Sequence, residues 1–244
     1  MISHSRLVLG QEAVFEKSNE ITAIPALIER LDLVGALVSI DAMGCQVAIA
    51  LDAGADYLLA VKDNQPTLHA EIESYFATAP AAEVEKVETI DKDHGRFEVR
   101  NYSVSHQVDW YAAERSYPGA PRFPQLTTIA MVESRIERGD KIESERRSYI
   151  SSRALSAAAF AAAARGHWAI ENKLHWVLDV TFGEDLSRLR TGHGAKNMAV
   201  VRHFALNLVR QVVDKRSIKR RRKRAAWDPQ YLLDTLGPLQ TKPC

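Results

Sequence analysis

Residues 165–182 read RGHWAIENKLHWVLDVTF, and within them His167, Glu171 and His175 follow one another at intervals of four. On an α-helix that spacing sets all three side chains along one face. Two chemistries fit such a row. Imidazole and carboxylate together suit zinc. The zinc-peptidase signature, however, needs two histidines four apart with a glutamate beside the first, and these histidines are farther apart. Alternatively, Glu171 is one carboxylate of a magnesium site, since that ion is held by few carboxylates plus waters and substrate phosphates. A solvated polar face on an amphipathic helix is the plain reading. Asp41 is the second candidate, because it ends the apolar run GALVSID. In open parallel sheets, catalytic groups gather at the carboxyl ends of strands, where such a run opens into a loop. An aspartate there also serves simply to cap the next helix.

These residues need elements to hold them. SRLVLGQEAVFE alternates apolar and polar positions and predicts a strand. AIPALIERLDL predicts a short amphipathic helix with Pro25 in its first turn. GALVSIDAMG predicts a buried strand, CQVAIALDAGA a helix closed by Gly54, and DYLLAVKDN another buried strand. That alternation marks an α/β sheet with parallel strands. QPTLHAEIESYFA follows as a helix with Leu68, Ile72, Tyr75 and Phe76 on one side. From about Ala82 to Ser152 the texture changes to strand-like runs separated by Gly95 and by RGDK, which predicts an antiparallel β region. SAAAFAAAARGHWAIENKLHWVLDV then predicts one long helix, its alanine-rich half having high helix propensity. GAKNMAVVRHFALNLVRQ predicts another amphipathic helix.

With 46% hydrophobic and 26% charged residues in 244, the chain can bury a sizeable core, which argues against a disordered protein. No apolar run is long enough to cross a bilayer, and the start MISHSRLVLG lacks the layout of a secretion signal. Cys45 and Cys244 are too few for a disulfide framework, so a cytoplasmic protein with reduced thiols and no membrane partner is expected. The net charge of +1 hides an asymmetry: residues 215–224, KRSIKRRRKR, carry eight Lys and Arg. Such a run binds polyanions through counterion release, or else is a solvated terminus.

The segments KSNEITAIPALIERLDLVGALVSIDAMGCQ, DYLLAVKDNQPTLHAEIESYF, HGRFEVRNYSV, RGHWAIENKLHWVLDVTFGEDLSRLRTGHGAKNMAVVRHFALNLVRQ and WDPQYLLDTL occur in order. Together, from about Arg6 to Leu236, they resemble bacterial insertion-sequence transposases of the DDE class, in the H-repeat-associated branch. The resemblance implies an α/β, ribonuclease H-like fold with an antiparallel β insertion and C-terminal helices. It also implies Mg²⁺-dependent cutting and joining of transposon ends, with Mn²⁺ as a substitute. Asp41 in SIDAMG matches the family's second catalytic aspartate, and Glu171 in HWAIEN its catalytic glutamate. Both would ligate the metal. Lys62, Asn64, His167, Asn172, His175, Arg188, Arg190, Arg220, Arg221, Arg222 and Arg224 are the candidate DNA contacts. Trp168 and Trp176 suit core packing. The partners implied are double-stranded transposon ends and target DNA, with room for a homo-oligomer on the DNA.

Departures from the family pattern limit what is carried over. The wider class often places Tyr, Arg and Lys around the glutamate, where this chain has Ala164, His167 and Leu178. Only the basic character at His167 survives. Asp63 stands where relatives commonly have glycine. The family's first aspartate lies in an Asp-Gly-Lys segment, and no such tripeptide occurs here. The resemblance therefore implies that the first strands and one acid of the triad are missing, as in an inactive truncated copy. A non-catalytic DNA-binding remnant is the alternative. The expected parts are a truncated ribonuclease H-like part at 1–81 and a β insertion at 82–152. The catalytic-glutamate helix and its successor occupy 153–212 as part of the same ribonuclease H-like domain, and a basic tail 213–244.

Overall fold

The computed structural model describes Leu9 and residues 20–40, 50–62, 65–93, 96–113, 123–170, 174–189 and 191–237. They fall into two compact units, one within Val14–His167 and one containing Trp168–Cys244.

The first unit is built on a sheet. Helix α1 (Glu20–Ile28) precedes strand β1 (Leu37–Ile40), and β2 (Asp56–Val61) is followed by helix α2 (Pro66–Thr78). Strands β3 (Glu85–Asp93) and β4 (Arg96–Ser105) come next. After the short helix α3 (Asp109–Ala113) come β5 (Thr128–Arg138) and β6 (Lys141–Ser151). Among the described residues the sheet runs β1-β2-β6-β5-β4-β3. Only β1 and β2 pair in parallel, with Ile40 opposite Leu59. All other pairings are antiparallel, including β2 with β6, where Leu58 faces Ser151. The strand-rich middle therefore extends the parallel pair as one mixed α/β sheet and is not a separate layer.

Local sequence explains this order. Tyr57 to Val61 are buried without alternation, as an interior strand covered on both faces requires. In β5 and β6 the residues near the core are buried, whereas those near the Gly139 turn are exposed or half-buried and mostly charged. Gly139 has φ +57°, the left-handed geometry that glycine adopts without strain. The strand expected at residues 6–16 lies outside the described residues. So does most of the helix expected before Gly54, of which residues 50–52 are seen to be helical.

Helix α4 (Ala157–Ile170) packs its alanine-rich face on this sheet. Ala157, Ala161 and Ala164 recur at helical spacing and are buried, which lets the helix approach closely. Phe160 is wholly buried, with its ring edge-on to Tyr102 (5.9 Å) and Tyr149 (5.2 Å). A polar clamp closes the edge of the sheet. Arg153 donates to Asp56 Oδ2 (2.7 Å) and to the Gly35 carbonyl (2.6 Å). Ser152 donates to Asp56 Oδ1 (2.8 Å).

The second unit is helical: α5 (Trp176–Phe182), α6 (Gly194–Gln211), α7 (Ile218–Trp227) and α8 (Pro229–Leu236). Its core gathers Leu174, Val177, Leu178 and Leu206, with Phe182 and Ile218 against them. Gly183 ends α5 at φ +64°, its N–H bonded to carbonyls of the last turn. Of the helix the sequence predicts through residues 156–180, the structure describes α4, a π-type turn at Leu174–His175 and α5, while residues 171–173 lie outside the described residues. The apolar residues of α4 pack in the sheet core, those from Leu174 onward in the helical core. Within the basic tail expected at 213–244, residues 218–227 and 229–236 are helical. Ser217 caps α7 by accepting from the Arg220 N–H, and Asp228 caps α8 by accepting from the Tyr231 N–H.

Candidate active site

Strand β1 ends at Ile40, so Asp41 is the next residue of the chain; α4 ends at Ile170, so Glu171 follows it. Asp41 and Glu171 lie outside the described residues, as do Asn64, Asn172 and Arg190. The frame that carries them is described. His167 Nδ1 and Ser39 Oγ share a partly buried hydrogen bond of 3.0 Å across a separation of 128 residues. This bond joins the last turns of α4 to the carboxyl end of β1. In the sequence, Ser39 precedes Asp41 by two residues and His167 precedes Glu171 by four.

Ser39 was not a sequence candidate. The signal for it was a hydroxyl in an otherwise apolar run, two residues before the aspartate.

Lys62 follows β2 and is exposed. It lies just past the carboxyl end of the interior strand β2, on the side toward which the parallel β1 also runs. Trp168 is half-buried, and Trp176 is 57% exposed, so Trp176 is not the core residue its type suggested. His175 is exposed in the π-type turn, where α-helical spacing does not hold, so the row from His167 to His175 is not carried through. Among the described residues no three His, Cys, Asp or Glu side chains gather as metal ligands.

The basic residues fall into distinct roles. Arg188 and Arg220 are exposed. Arg221 is largely covered and donates to Asp214 Oδ1 (2.7 Å), to the Asp214 carbonyl (2.6 Å) and to the Val209 carbonyl (3.2 Å). Arg224 donates to Asp228 (2.9 Å) and lies 4.7 Å over the Tyr231 ring. Arg222 is exposed, 5.4 Å over the Phe182 ring. Burial pushes the Asp214 carboxyl up, but the Arg216 N–H, the Arg221 and Arg216 guanidiniums and the Tyr231 hydroxyl outweigh it. Together they hold it well below the usual carboxylate range. The Tyr231 N–H and then Arg224 hold Asp228 low in the same way.

The family called Transposase DDE domain matches residues 2–208. The chain belongs to the DDE transposases. It is 41% identical over 239 residues to "Putative transposase YncI" of Escherichia coli O157:H7, which covers 95% of this chain and 60% of that protein. It is 38% identical over 240 residues to "H repeat-associated putative transposase YhhI" of Escherichia coli strain K12, covering 95% of this chain and 62% of that one. "Putative protein YbfL" of the same strain matches at 38% over 240 residues, with the same coverage. These relatives set this DDE transposase in the H-repeat branch. The chain spans about 60% of the length of the relatives it matches. No solved structure matches it. No helix among the described residues is long and apolar enough to cross a membrane.

Proposed function

We propose that the chain is the part of an insertion-sequence transposase that supplies two acidic metal ligands and much of the DNA contact. The fold would be ribonuclease H-like. The reaction would be transesterification at transposon ends, with no covalent enzyme intermediate. The observation that carries this reading is the Ser39–His167 hydrogen bond (3.0 Å), which fastens the segment leading to Glu171 beside the one leading to Asp41.

Two carboxylates are hard oxygen donors, and they fit Mg²⁺ or Mn²⁺. Asp41 and Glu171 would hold the ions. Ions held there would supply charge stabilisation for a displacement at phosphorus. The chain's own residues do the rest. His167 and Ser39 hold the last turns of α4 to the end of β1. Lys62, just past the carboxyl end of β2, and Arg188 are suited to scissile-strand phosphates. A water or a DNA 3′-hydroxyl is the nucleophile, and the bridging oxygen leaves with the cut strand.

The test is strand cleavage on a supercoiled donor carrying the element's ends, with Mg²⁺ or Mn²⁺. It compares the 244-residue chain with a form extended to the relatives' length and carrying a third acidic residue. Metal-dependent cutting by the extended form, lost in Glu171→Gln, is the expected result. Binding without cutting by both forms would favour a DNA-binding remnant instead. Cutting by the short chain, abolished by Glu171→Gln, would show that a third ligand lies within these residues.

A further inference from the structure

Between α6 and α7 the helical unit has an open groove of about 480 Å³, which the cutting chemistry does not use. Phe182, Met198 and Val201 give it an apolar wall, and Arg222, Lys223 and Trp227 line the α7 side. Val201 is 57% exposed and Trp227 71% exposed. A tryptophan left that open has most of its surface uncovered by its own unit. It is a large rigid ring face available to something else.

The way α7 is held explains why this face is offered. Arg221 and Arg224, three apart, turn toward Asp214 and Asp228 and bind there. Arg222, Lys223 and Trp227 occupy the neighbouring face and line the groove. Arg202, a third cation on the wall, lies 3.6 Å from Glu184, which partly neutralises it. The basic run thus divides into cations used to fix the helix and cations presented beside an exposed aromatic ring.

Cations beside an open aromatic face suit unpaired nucleic acid, whose bases stack while its phosphates are neutralised. In a duplex the base faces are covered by one another, so Trp227 gains little from it. A second copy of this chain is a poor occupant, because a two-fold contact sets a patch against itself and like charges would face each other. We propose that this groove binds single-stranded DNA, with Trp227 stacked on a base and Arg222 and Lys223 on the flanking phosphates. The proposal rests on the DNA-acting function for the class of ligand, and it is independent of the acidic site.

Anisotropy of a labelled oligothymidylate and of a blunt duplex of equal length, titrated with the full chain, tests it. Trp227→Ala should weaken oligothymidylate binding about tenfold and leave the duplex nearly unchanged. Trp227→Phe should restore most of the loss, because a phenyl ring still stacks. Trp176→Ala, which removes an exposed tryptophan outside the groove lining, should change neither. Arg222→Ala with Lys223→Ala should weaken oligothymidylate binding and reduce its dependence on salt. The proposal fails if Trp227→Ala leaves oligothymidylate binding unchanged or weakens both ligands equally. It fails as well if the substitution instead abolishes self-association or capture of an acidic peptide by the groove, since then a protein covers it. Glu171→Gln in the extended form separates the two readings: it should keep oligothymidylate binding while losing cleavage. Cleavage retained in Glu171→Gln would overturn the catalytic reading and leave the groove standing.

Discussion

The sheet unit and the helical unit use their apolar residues differently. In the sheet unit Tyr102, Tyr149 and Phe160 are buried against one another, and α4 covers them with alanines. In the helical unit the buried core is smaller, and Met198, Val201, Phe204 and Trp227 remain exposed along α6 and α7. Ion pairs and caps then do much of the holding, through Asp214 and Asp228. The difference teaches where each unit keeps its options. A core closed on itself fixes the strands and the helix packed on it. A helix pinned by side-chain carboxylates can leave its other face for a ligand.

The sharpest break of that comparison is at the acidic site. Asp41→Asn or Glu171→Gln, in a form able to cut, should remove cleavage by several factors of ten while leaving DNA affinity nearly unchanged. Single-turnover cutting and filter binding on the same preparations measure the two separately. Equal loss of both would mean that these residues serve folding rather than chemistry.

Next in size is the core of the sheet unit. Phe160→Ala removes a wholly buried ring with two edge-on neighbours. It should cost ~3–5 kcal/mol, read from urea unfolding. An exposed residue of the other unit, Val201→Ala, should change stability by less than ~1 kcal/mol. If both substitutions cost the same, the two units do not differ as described.

Loosening the bond that joins strand and helix should have a smaller effect. Ser39→Ala should lower the cleavage rate about tenfold, a loss of ~1.4 kcal/mol of transition-state stabilisation, with DNA affinity unchanged. Ser39→Thr keeps the hydroxyl and should recover most of the rate. A loss that Thr fails to recover would assign the effect to packing.

Acid should affect the helical unit more gently. Asp214 is held below its ordinary value, so the folded form binds its proton less readily than the unfolded form does. Its stabilising contribution is therefore complete above the ordinary carboxylate value of 3.8 and is lost as pH falls toward the lowered one. Hydrogen-exchange protection factors in α7 and α8 should fall over that acidic range, and Asp214→Asn should lower them at neutral pH. Protection unchanged by the substitution would show that the clamp is dispensable.

What was legible in the sequence was local or periodic. The parallel pair around GALVSI and DYLLAV, the antiparallel strands around RGDK and helix α6 over residues 194–211 follow from the spacing of apolar residues and from turn chemistry. The family was legible too, because its motifs keep their order and spacing. The π-type turn at Leu174–His175 was not, since a helical pattern does not reveal that its two halves pack in different cores. The roles of the basic residues were also hidden. Arg221 and Arg222 are adjacent in the chain, yet one is bound to Asp214 and the other lies over Phe182 beside an open groove.

By itself, then, the sequence determined which elements form, which residues carry carboxylate and basic chemistry, and to which family they belong. Tertiary structure alone decided that Ser39 meets His167, that β6 pairs with β2 and that Arg221 is a strut. Each of those depends on a partner brought from elsewhere in the chain. Hydrogen bonds and ion pairs act over a few ångströms, and only folding decides which distant groups come that close.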